Sequence, residues 1–284
     1  MSGVLTLLTD FGWADPWVAE LKGAVCSCWA RWPGGGPPGP GADPMPVHPM
    51  QVHPMLVDLG HDVPRGDVAA GAWFLERAAA TFPRGAVHLA VVDPGVGTAR
   101  PAVACAARGQ CFVGPGNGLL AFLGGEPDLL VVRLEDLCGR GHPRDGRVSA
   151  TFHGRDLFAP AAARLALGEP VALLGPEAGP DALGTLPAPP PGGAPRVMWV
   201  DRFGNAITDL GPDAPAAAAL RAGGRLEAGG RAVPGPIACY GAAPAGEPFW
   251  YWGSGGTLEI AVPGGSAAER LGLRPGLVLA VSAP

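Results

Sequence analysis

Acidic and amide side chains follow three apolar runs in the first half of the sequence. Asp10 follows "VLTLL" after one threonine, Asp93 follows "AVHLAVV", and Asn117 lies in "FVGPGNG". Ligands of open α/β sheets bind outside the carboxyl ends of the strands, so these side chains are candidates for one binding site. A carboxylate in the position of Asp10 can accept hydrogen bonds from both hydroxyls of a ribose. An acid that only caps a turn is the alternative.

Two further side chains are candidates for the same site. Arg100 follows Asp93 by seven residues and can return to the same strand end to pair with it. His153, in "SATFHGRDLFAP", lies between a predicted strand end and a predicted helix start, next to Gly154. A single histidine is more often structural than catalytic, and the local sequence alone favours the structural role.

The second half contributes a polar turn, "VDRFGNAITD". Asp201 and Asn205 bracket this turn, where the carboxylate suits an ammonium group and the carboxamide can both donate and accept, as an adenine edge requires. Phe203 and Tyr240 are candidate stacking surfaces for a base. An ordinary hairpin with the residues its turn type needs is the alternative.

Several function classes lack their signatures. The sequence has no GxSxG, no HExxH and no GxxxxGK[ST], and "DPGVGTAR" lacks the third glycine of a dinucleotide cradle. The formal net charge is −5 with no basic run, which argues against nucleic acid or an anionic membrane surface as the partner. The N-terminus has no signal-peptide pattern and no apolar run is long enough to span a bilayer, so a cytoplasmic protein that binds a small ligand is expected.

The pattern of elements that must position these residues is α/β. Short apolar runs predict strands, and "DVAAGAWFLERAAATF" predicts a helix between two of them. Strands that alternate with helices indicate a parallel sheet. "PAVACAARGQCFVG" predicts a hairpin that turns at Arg108-Gly109. We expect an N-terminal α/β domain with a mostly parallel central sheet over residues 1–170. A Pro/Gly-rich linker over residues 171–194 and a small C-terminal β domain over residues 195–284 follow.

Residues 28–55 fit neither pattern, because they are Pro/Gly-rich and then repeat a His-Pro-Met unit. The preferred interpretation is a mobile insertion between the first helix and the second strand. A site for a soft metal, built from His48, His53, the methionines and Cys26 and Cys28, is one alternative. An arm that binds a partner is another.

Several motifs occur in order along nearly the whole chain: "TDFG", "DPGVG", "FVGPGNGLL", "TFHGRD", "FGN" and "GGSAAERLGL". Together they resemble the S-adenosyl-L-methionine (SAM) hydroxide adenosyltransferase family, whose members are SAM hydrolases related to fluorinase and chlorinase. The resemblance implies a β-barrel-like C-terminal domain and a homotrimer with SAM bound at subunit interfaces. It also implies attack of activated water on the ribose 5′ carbon, giving adenosine and L-methionine. No cofactor and no metal is expected, because SAM itself is the substrate.

The resemblance also assigns roles to matching positions. Asp93, Arg100 and His153 would handle the water. Six side chains would bind the substrate: Asp10 the ribose hydroxyls, Asp201 the methionine ammonium, Asn205 the adenine, Phe203 and Tyr240 the faces of the base, and Ser254 the methionine carboxylate.

Two other functions remain open on the sequence. Halogenating relatives lack the histidine of "TFHGRD", have a halide-binding serine at the position of Gly154, and have a tyrosine at the position of Asp93. The residues of this chain therefore favour water over halide. A SAM- or adenosine-binding protein without catalysis is the third possibility.

Overall fold

The computed structural model of the protein describes residues 3–31, 54–134, 147–188 and 190–282. The chain divides into two compact units, Met1–Leu186 and Pro187–Pro284. Each unit has its own sheets and its own hydrophobic core.

The first unit is built on a seven-stranded sheet with the strand order β2-β1-β3-β5-β4-β6-β7. Neighbours from β2 to β5 pair in parallel, and β4 and β7 run against the other five strands. The predicted α/β unit with a mostly parallel sheet is therefore confirmed. The strands are β1 Val4–Thr9, β2 Met55–Gly60, β3 Val87–Val91, β4 Ala102–Ala107, β5 Gln110–Pro115, β6 Leu130–Arg133 and β7 Glu177–Ala178.

Helices cover the central strands. These are α1 Trp17–Arg31, α2 Val68–Ala79 and α3 Ala159–Ala166. All five residues of β3 are buried, as expected for a parallel strand with both faces covered. Leu5 and Leu7 of β1 pack in one core with Leu21 of α1 and with α3. Leu8 points to the opposite face by strand alternation, toward Phe74 of α2.

Local sequence signals define the ends of several elements in this unit. The β4–β5 hairpin turns at Arg108 and Gly109, both of which have positive φ, so the predicted hairpin is confirmed. Asp67 caps α2 by accepting a hydrogen bond from Ala70 N at 2.9 Å. Gly168, with φ +95°, follows directly after α3 and its C-cap.

The structure differs from the sequence interpretation at two boundaries. Residues 171–183, expected to be linker, contain two 3-10 turns and the edge strand β7, and their Val171 and Leu183 side chains are buried. Burial of apolar side chains outweighs the Pro/Gly composition of this segment. Residues 28–31 of the expected insertion are the last turn of α1, and Met55 begins β2. Residues 32–53, with His48 and His53, lie outside the described residues.

The second unit consists of two antiparallel sheets. A four-stranded sheet has the order β12-β13-β9-β8 and a three-stranded sheet the order β11-β10-β14. These antiparallel sheets agree with the β fold expected for this part of the chain, whereas the β-barrel-like arrangement is not confirmed. The elements are β8 Val197–Val200, β9 Ala206–Thr208, α4 Pro215–Arg221, β10 Arg225–Ala228, β11 Arg231–Val233, β12 Phe249–Trp252, β13 Leu258–Ala261, α5 Ala267–Leu271 and β14 Ala280–Ser282.

No helix in the described part of the chain is long and apolar enough to cross a membrane.

His88 is a titratable group at the centre of the first sheet. Its side chain is fully buried on β3, where Nδ1 lies 2.8 Å from the Thr6 hydroxyl and the ring stacks on Phe112. Burial lowers the pKa of His88 from 6.5 to about 4, and the Gln110 side chain opposes this shift with a smaller effect. The folded protein therefore holds this imidazole neutral at pH values where the unfolded chain protonates it.

We expect the protein to lose stability as the pH falls from 6.5 toward 4. Because the pKa of His88 is lower in the folded state, the unfolded state binds the extra proton in this window, at a cost of about 3 kcal/mol in the free energy of unfolding. The measurement is denaturant unfolding at about pH 7 and about pH 4.5, for the wild type and for Thr6→Val/His88→Leu. This double variant has no titrating ring and leaves no unpaired hydroxyl.

The pH-dependent part of the unfolding free energy should be smaller in the double variant by about 2–3 kcal/mol. Carboxylates contribute to both proteins and cancel in this difference. An equal pH dependence in the two proteins would contradict the assignment.

Candidate active site

The carboxyl ends of β1 and β3 place two of the predicted acids at one edge of the sheet. Asp10 follows β1, Asp93 follows β3 by two residues, and the charge of Asp93 contributes to the raised pKa of Asp10. Asn117 follows β5 by two residues. It uses its carboxamide locally, donating to Val92 O at 2.9 Å and accepting from Leu119 N at 3.2 Å. Asn117 therefore shapes this edge.

Asp93, Arg100 and His153 form one hydrogen-bonded cluster. The Arg100 guanidinium donates from Nε to Asp93 Oδ1 at 2.8 Å and from Nη2 to Asp93 Oδ2. The same Nη2 lies 2.9 Å from His153 Nδ1. The Arg100 and Asp93 side chains are only 9% and 5% exposed, so this ion pair is nearly removed from water. The structure thus brings together the three residues predicted to handle water, and their catalytic role stays a prediction.

The hydrogen bonds define the protonation of His153. A guanidinium can only donate, so His153 Nδ1 is the acceptor and the ring of the neutral imidazole carries its proton on Nε2. Burial lowers the pKa of His153, and the neighbouring charge of Arg100 lowers it further, while Asp93 and Asp156 act in the opposite direction. The neutral form is therefore favoured at this site.

Close packing of two loops brings His153 to the ion pair. Gly97, with φ +80°, lies so close to the segment before His153 that a β-carbon would come within 2.5 Å of Ala150 O. That segment is fixed by the buried Asp156, which accepts from Ser149 N at 2.9 Å and from Arg155 Nε at 2.6 Å. A single turn of π-helix, Gly154–Phe158, follows His153 directly, and such turns occur frequently at functional sites.

Asp10 is held by the loop that follows β2. Its Oδ2 accepts a hydrogen bond from Gly66 N at 2.8 Å. Burial raises the pKa of Asp10, and the hydrogen bonds from the backbone N–H groups of Gly66 and Asp10 itself oppose that shift. The carboxylate is therefore oriented by the chain and partly desolvated.

A pocket of about 470 Å³ in the first unit is rich in aromatic side chains that the sequence interpretation missed. Trp17 and Phe11 each meet the Phe152 ring edge-on at 5.7 Å, and Arg155 lies over the same ring at 5.0 Å. The proximity of Phe152 to His153 in the sequence was the available signal. The pocket is lined by Phe11, Trp17, Ser149, Thr151, Phe152 and Arg155.

The second unit contains a larger pocket, of about 660 Å³. Four of the five predicted side chains of this unit line it: Asp201, Phe203, Asn205 and Tyr240. Phe203 is 79% and Tyr240 42% exposed, so both rings are free to contact a ligand in the isolated unit. Ser254 is exposed in the loop between β12 and β13 and does not belong to the described residues that line this pocket.

The turn of residues 201–205 orients its own polar groups. Asp201 Oδ1 accepts from Phe203 N at 2.9 Å and from Asn205 N at 2.8 Å, and Oδ2 accepts from Asn205 Nδ2 at 2.8 Å. Gly204, with φ +80°, packs against Ser266 at the start of α5, where a β-carbon would come within 2.2 Å of the serine hydroxyl. Only glycine fits at this point of the turn.

Two further residues of this pocket were missed by the sequence interpretation. Glu259 on β13 is buried and accepts a hydrogen bond from the Tyr251 hydroxyl at 2.5 Å, and Tyr240 lies 3.4 Å from that hydroxyl. Burial raises the pKa of Tyr251, as does its hydrogen bond to Glu259. The signal for Glu259 was a single acid inside the apolar run "TLEIAV".

Two family models match this chain. The model of the SAM hydroxide adenosyltransferase N-terminal domain matches residues 48–175, and the model of the C-terminal domain matches residues 195–279. These ranges contain both the ion-pair cluster and the pocket of the second unit. The chain belongs to the SAM hydroxide adenosyltransferase family. The resemblance drawn from the sequence motifs is thus confirmed.

Two relatives of this chain are named (R)-S-adenosyl-L-methionine hydrolase. The relative from Thermus thermophilus is 44% identical over 95% of this chain and 96% of its own length. The relative from Salinispora tropica is 38% identical over 98% of this chain and 97% of its own length. A crystal structure of an uncharacterized conserved protein from Thermotoga maritima superposes with a TM-score of 0.76 at 28% identity, covering 98% of this chain and all of that one.

In the described part of the chain, no group of three His, Cys, Asp or Glu side chains is arranged to hold a metal ion. Among the described residues, Cys26 and Cys28 of α1 form no disulfide bond. The soft-metal alternative also needs His48 and His53, which lie outside the described residues.

His153 should titrate with a midpoint below its ordinary value of 6.5, and Arg100→Gln should raise that midpoint. The variant removes a positive neighbour and leaves Asp93 unpaired, so both changes favour the protonated imidazole. The measurement is an NMR titration of the His153 ring in protein with ¹³C-labelled histidine. Thermal unfolding should verify that the variant is folded.

The matched control is Arg202→Gln, which neutralises an exposed arginine of the second unit. It should leave the His153 midpoint unchanged. A midpoint that stays constant or falls in Arg100→Gln would refute the assigned electrostatic coupling.

Proposed function

We propose that this protein hydrolyses SAM to adenosine and L-methionine. The observation that carries the proposal is the Asp93–Arg100–His153 cluster at the carboxyl edge of the sheet, in a chain that is 44% identical to a SAM hydrolase over 95% of its length. The fluorinase-like alternative is disfavoured by the same residues. Gly154 offers no hydroxyl to a halide ion, and its place beside the Phe152 and Phe11 rings is apolar.

The reaction needs a nucleophile more than it needs a better leaving group. Water attacks the ribose C5′, the C5′–S bond breaks with its electron pair going to sulfur, and the sulfonium becomes the neutral thioether of methionine. The water loses one proton in the same process. In-line placement of the water and stabilisation of developing hydroxide are therefore the main tasks of the protein.

The geometry of the cluster supports a different role for each of its three side chains. The Nε2–H of neutral His153 can donate to the water oxygen and orient it, while the positive Arg100 stabilises negative charge that develops on that oxygen. Since His153 Nδ1 already accepts from Arg100 and Nε2 carries a proton, we assign proton acceptance to Asp93. Both Asp93 oxygens already accept hydrogen bonds from Arg100, so the proposed proton acceptor is a carboxylate that its counterion holds in place.

The remaining predicted residues suit the rest of the substrate. Asp10 would accept hydrogen bonds from the ribose hydroxyls. Asp201 receives three donors from its own turn, and a carboxylate has about four acceptor positions, so one remains for the methionine ammonium. Asn205 would contact the adenine edge, with Phe203 and Tyr240 against its faces, and Ser254 would meet the methionine carboxylate.

The names of the relatives specify the R configuration at the sulfonium sulfur. We extend this preference to the present chain, because a chiral site that holds both the adenosyl and the methionine group accepts only one placement of the methyl group on sulfur. We also propose a cytoplasmic homotrimer without a bound metal. Light scattering of the purified protein tests the assembly and should give about three times the chain mass of 28.6 kDa.

Purified protein should convert (R)-SAM to adenosine and methionine, equally with and without a metal chelator. Asp93→Asn and His153→Ala should each lower kcat by about 10²- to 10⁴-fold, the range expected when a residue that transfers or orients a proton is removed. The measurement is product analysis by liquid chromatography and mass spectrometry. The exposed Asp213→Asn serves as the matched control and should retain full activity.

Two other outcomes would overturn the proposal. Formation of 5′-chloro- or 5′-fluoro-adenosine in halide buffer would identify a halogenating enzyme. Tight binding of SAM with no turnover, unchanged in Asp93→Asn, would identify a binding protein. Equal turnover of the R and S epimers would refute the proposed configuration while leaving the hydrolysis intact.

A further inference from the structure

A chain of four polar side chains runs from the surface of the first unit to the loop that carries Asp10. Lys22 Nζ lies 2.7 Å from Asp58 Oδ2, Asp58 Oδ1 lies 3.0 Å from His61 Nε2, and His61 Nδ1 lies 2.8 Å from Thr9 Oγ1. Three elements contribute to it: α1, β2 with its following loop, and the last residue of β1. None of these side chains has a role in the proposed reaction.

The Asp58 carboxylate, which lies between Lys22 and His61, sets the direction of each hydrogen bond in this series. A carboxylate only accepts, so the neutral His61 ring carries its proton on Nε2 and donates it to Asp58, and Nδ1 of that ring is an acceptor. The Thr9 hydroxyl must then donate to His61. Its oxygen in turn accepts from Phe11 N at 3.3 Å. Each group therefore has one defined orientation, and the chain ends on the backbone directly after Asp10.

Backbone contacts of His61 enclose Asp10 from the other side. Gly12 N donates to His61 O at 2.7 Å, and Val63 N donates to Thr9 O at 3.4 Å. The same loop supplies Gly66 N, which holds the Asp10 carboxylate itself. Thus the residues on both sides of Asp10 are tied to His61 or its loop. A rotation of this loop would move the Asp10 carboxylate with it.

Burial decides between a catalytic and a positioning role for this chain. Asp58, His61 and Thr9 have the donor order of a nucleophilic triad, but His61 and Thr9 are both fully buried. The Trp13 ring also meets the imidazole edge-on at 4.6 Å and shields it. A substrate cannot reach the Thr9 hydroxyl. The hydrogen-bonded side chains therefore act through the position of Asp10.

We propose that His61 is a positioning residue for Asp10, and that the Asp58–His61–Thr9 chain sets the recognition of the ribose diol. This inference rests on the proposed function, because it assigns the ribose to Asp10. It predicts that the Asp58–His61–Thr9 hydrogen bonds govern the affinity for a vicinal diol and have little influence on the breaking of the C5′–S bond.

The protein contains a matched internal control. Thr6 and His88 form the same kind of pair on the same sheet, with Oγ1 and Nδ1 again 2.8 Å apart and both residues fully buried. Thr6 lies on β1 as Thr9 does, but three residues before the carboxyl end. Removing its hydroxyl therefore disturbs a comparable hydrogen bond away from Asp10.

The test compares Thr9→Val with Thr6→Val. Thr9→Val should raise the KM for (R)-SAM by about fivefold, the effect of losing one hydrogen bond, with kcat changed by less than about twofold. The ratio of the affinities for adenosine and 2′-deoxyadenosine, measured by calorimetry, should fall by a similar factor. Thr6→Val should lower only the thermal stability and leave both readouts as in the wild type.

Further variants separate positioning from general damage. Thr9→Ser keeps the hydroxyl and should retain the wild-type affinity ratio. His61→Asn places an amide oxygen near the former Nδ1 and should preserve more of the ratio than His61→Leu, which keeps neither bond. In an Asp10→Asn background, Thr9→Val should change the ratio no further, because the carboxylate that it positions is gone.

The outcomes distinguish this inference from the proposed function. If the wild type hydrolyses SAM but Thr9→Val and His61→Leu keep its KM and affinity ratio, the positioning role is refuted and the function stands. If Thr6→Val shifts the ratio as strongly as Thr9→Val, the effect is general to the sheet and the inference also fails. A wild type that neither hydrolyses SAM nor binds adenosine would overturn both.

Discussion

The ion pair between Asp93 and Arg100 is the interaction on which the candidate active site depends. Both side chains are almost removed from water, and a buried charge without its partner costs about 3–5 kcal/mol. The loop from 93 to 100 must therefore close so that the two groups meet. That closure places Gly97 against Ala150 and presents the guanidinium to His153, so one electrostatic constraint assembles three residues from two loops.

Both units orient their polar groups through hydrogen bonds within the chain. Asp10 is held by Gly66, Asp201 by the N–H groups of its own turn, and His153 by Arg100. Preorganised groups of this kind need little rearrangement during a reaction, which is how a protein stabilises charge more effectively than water does. The proposed reaction depends on such preorganisation at the attacking water, since the sulfonium already provides a good leaving group.

Much of the fold could be predicted from local patterns in the sequence. The apolar runs of the first half became the strands of a mostly parallel sheet, and the hairpin at Arg108 and Gly109 formed because both residues adopt the positive φ that its turn needs. The segment from 171 to 183 could not be predicted in this way. Its Pro/Gly composition resembles a linker, and only the burial of Val171 and Leu183 against distant residues makes it part of the first unit.

For the candidate site, too, some properties follow from the sequence and others only from the tertiary structure. By itself the sequence determined which residues are candidates for the chemistry, because motifs whose order identifies a family contain Asp93, Arg100, His153, Asp201 and Asn205. Only the tertiary structure decided their protonation and their support. The His153 tautomer depends on a guanidinium 53 residues away, and the Asp58–His61–Thr9 chain joins residues up to 52 positions apart. Hydrogen-bond direction and burial are properties of groups that folding brings together, so no local pattern encodes them.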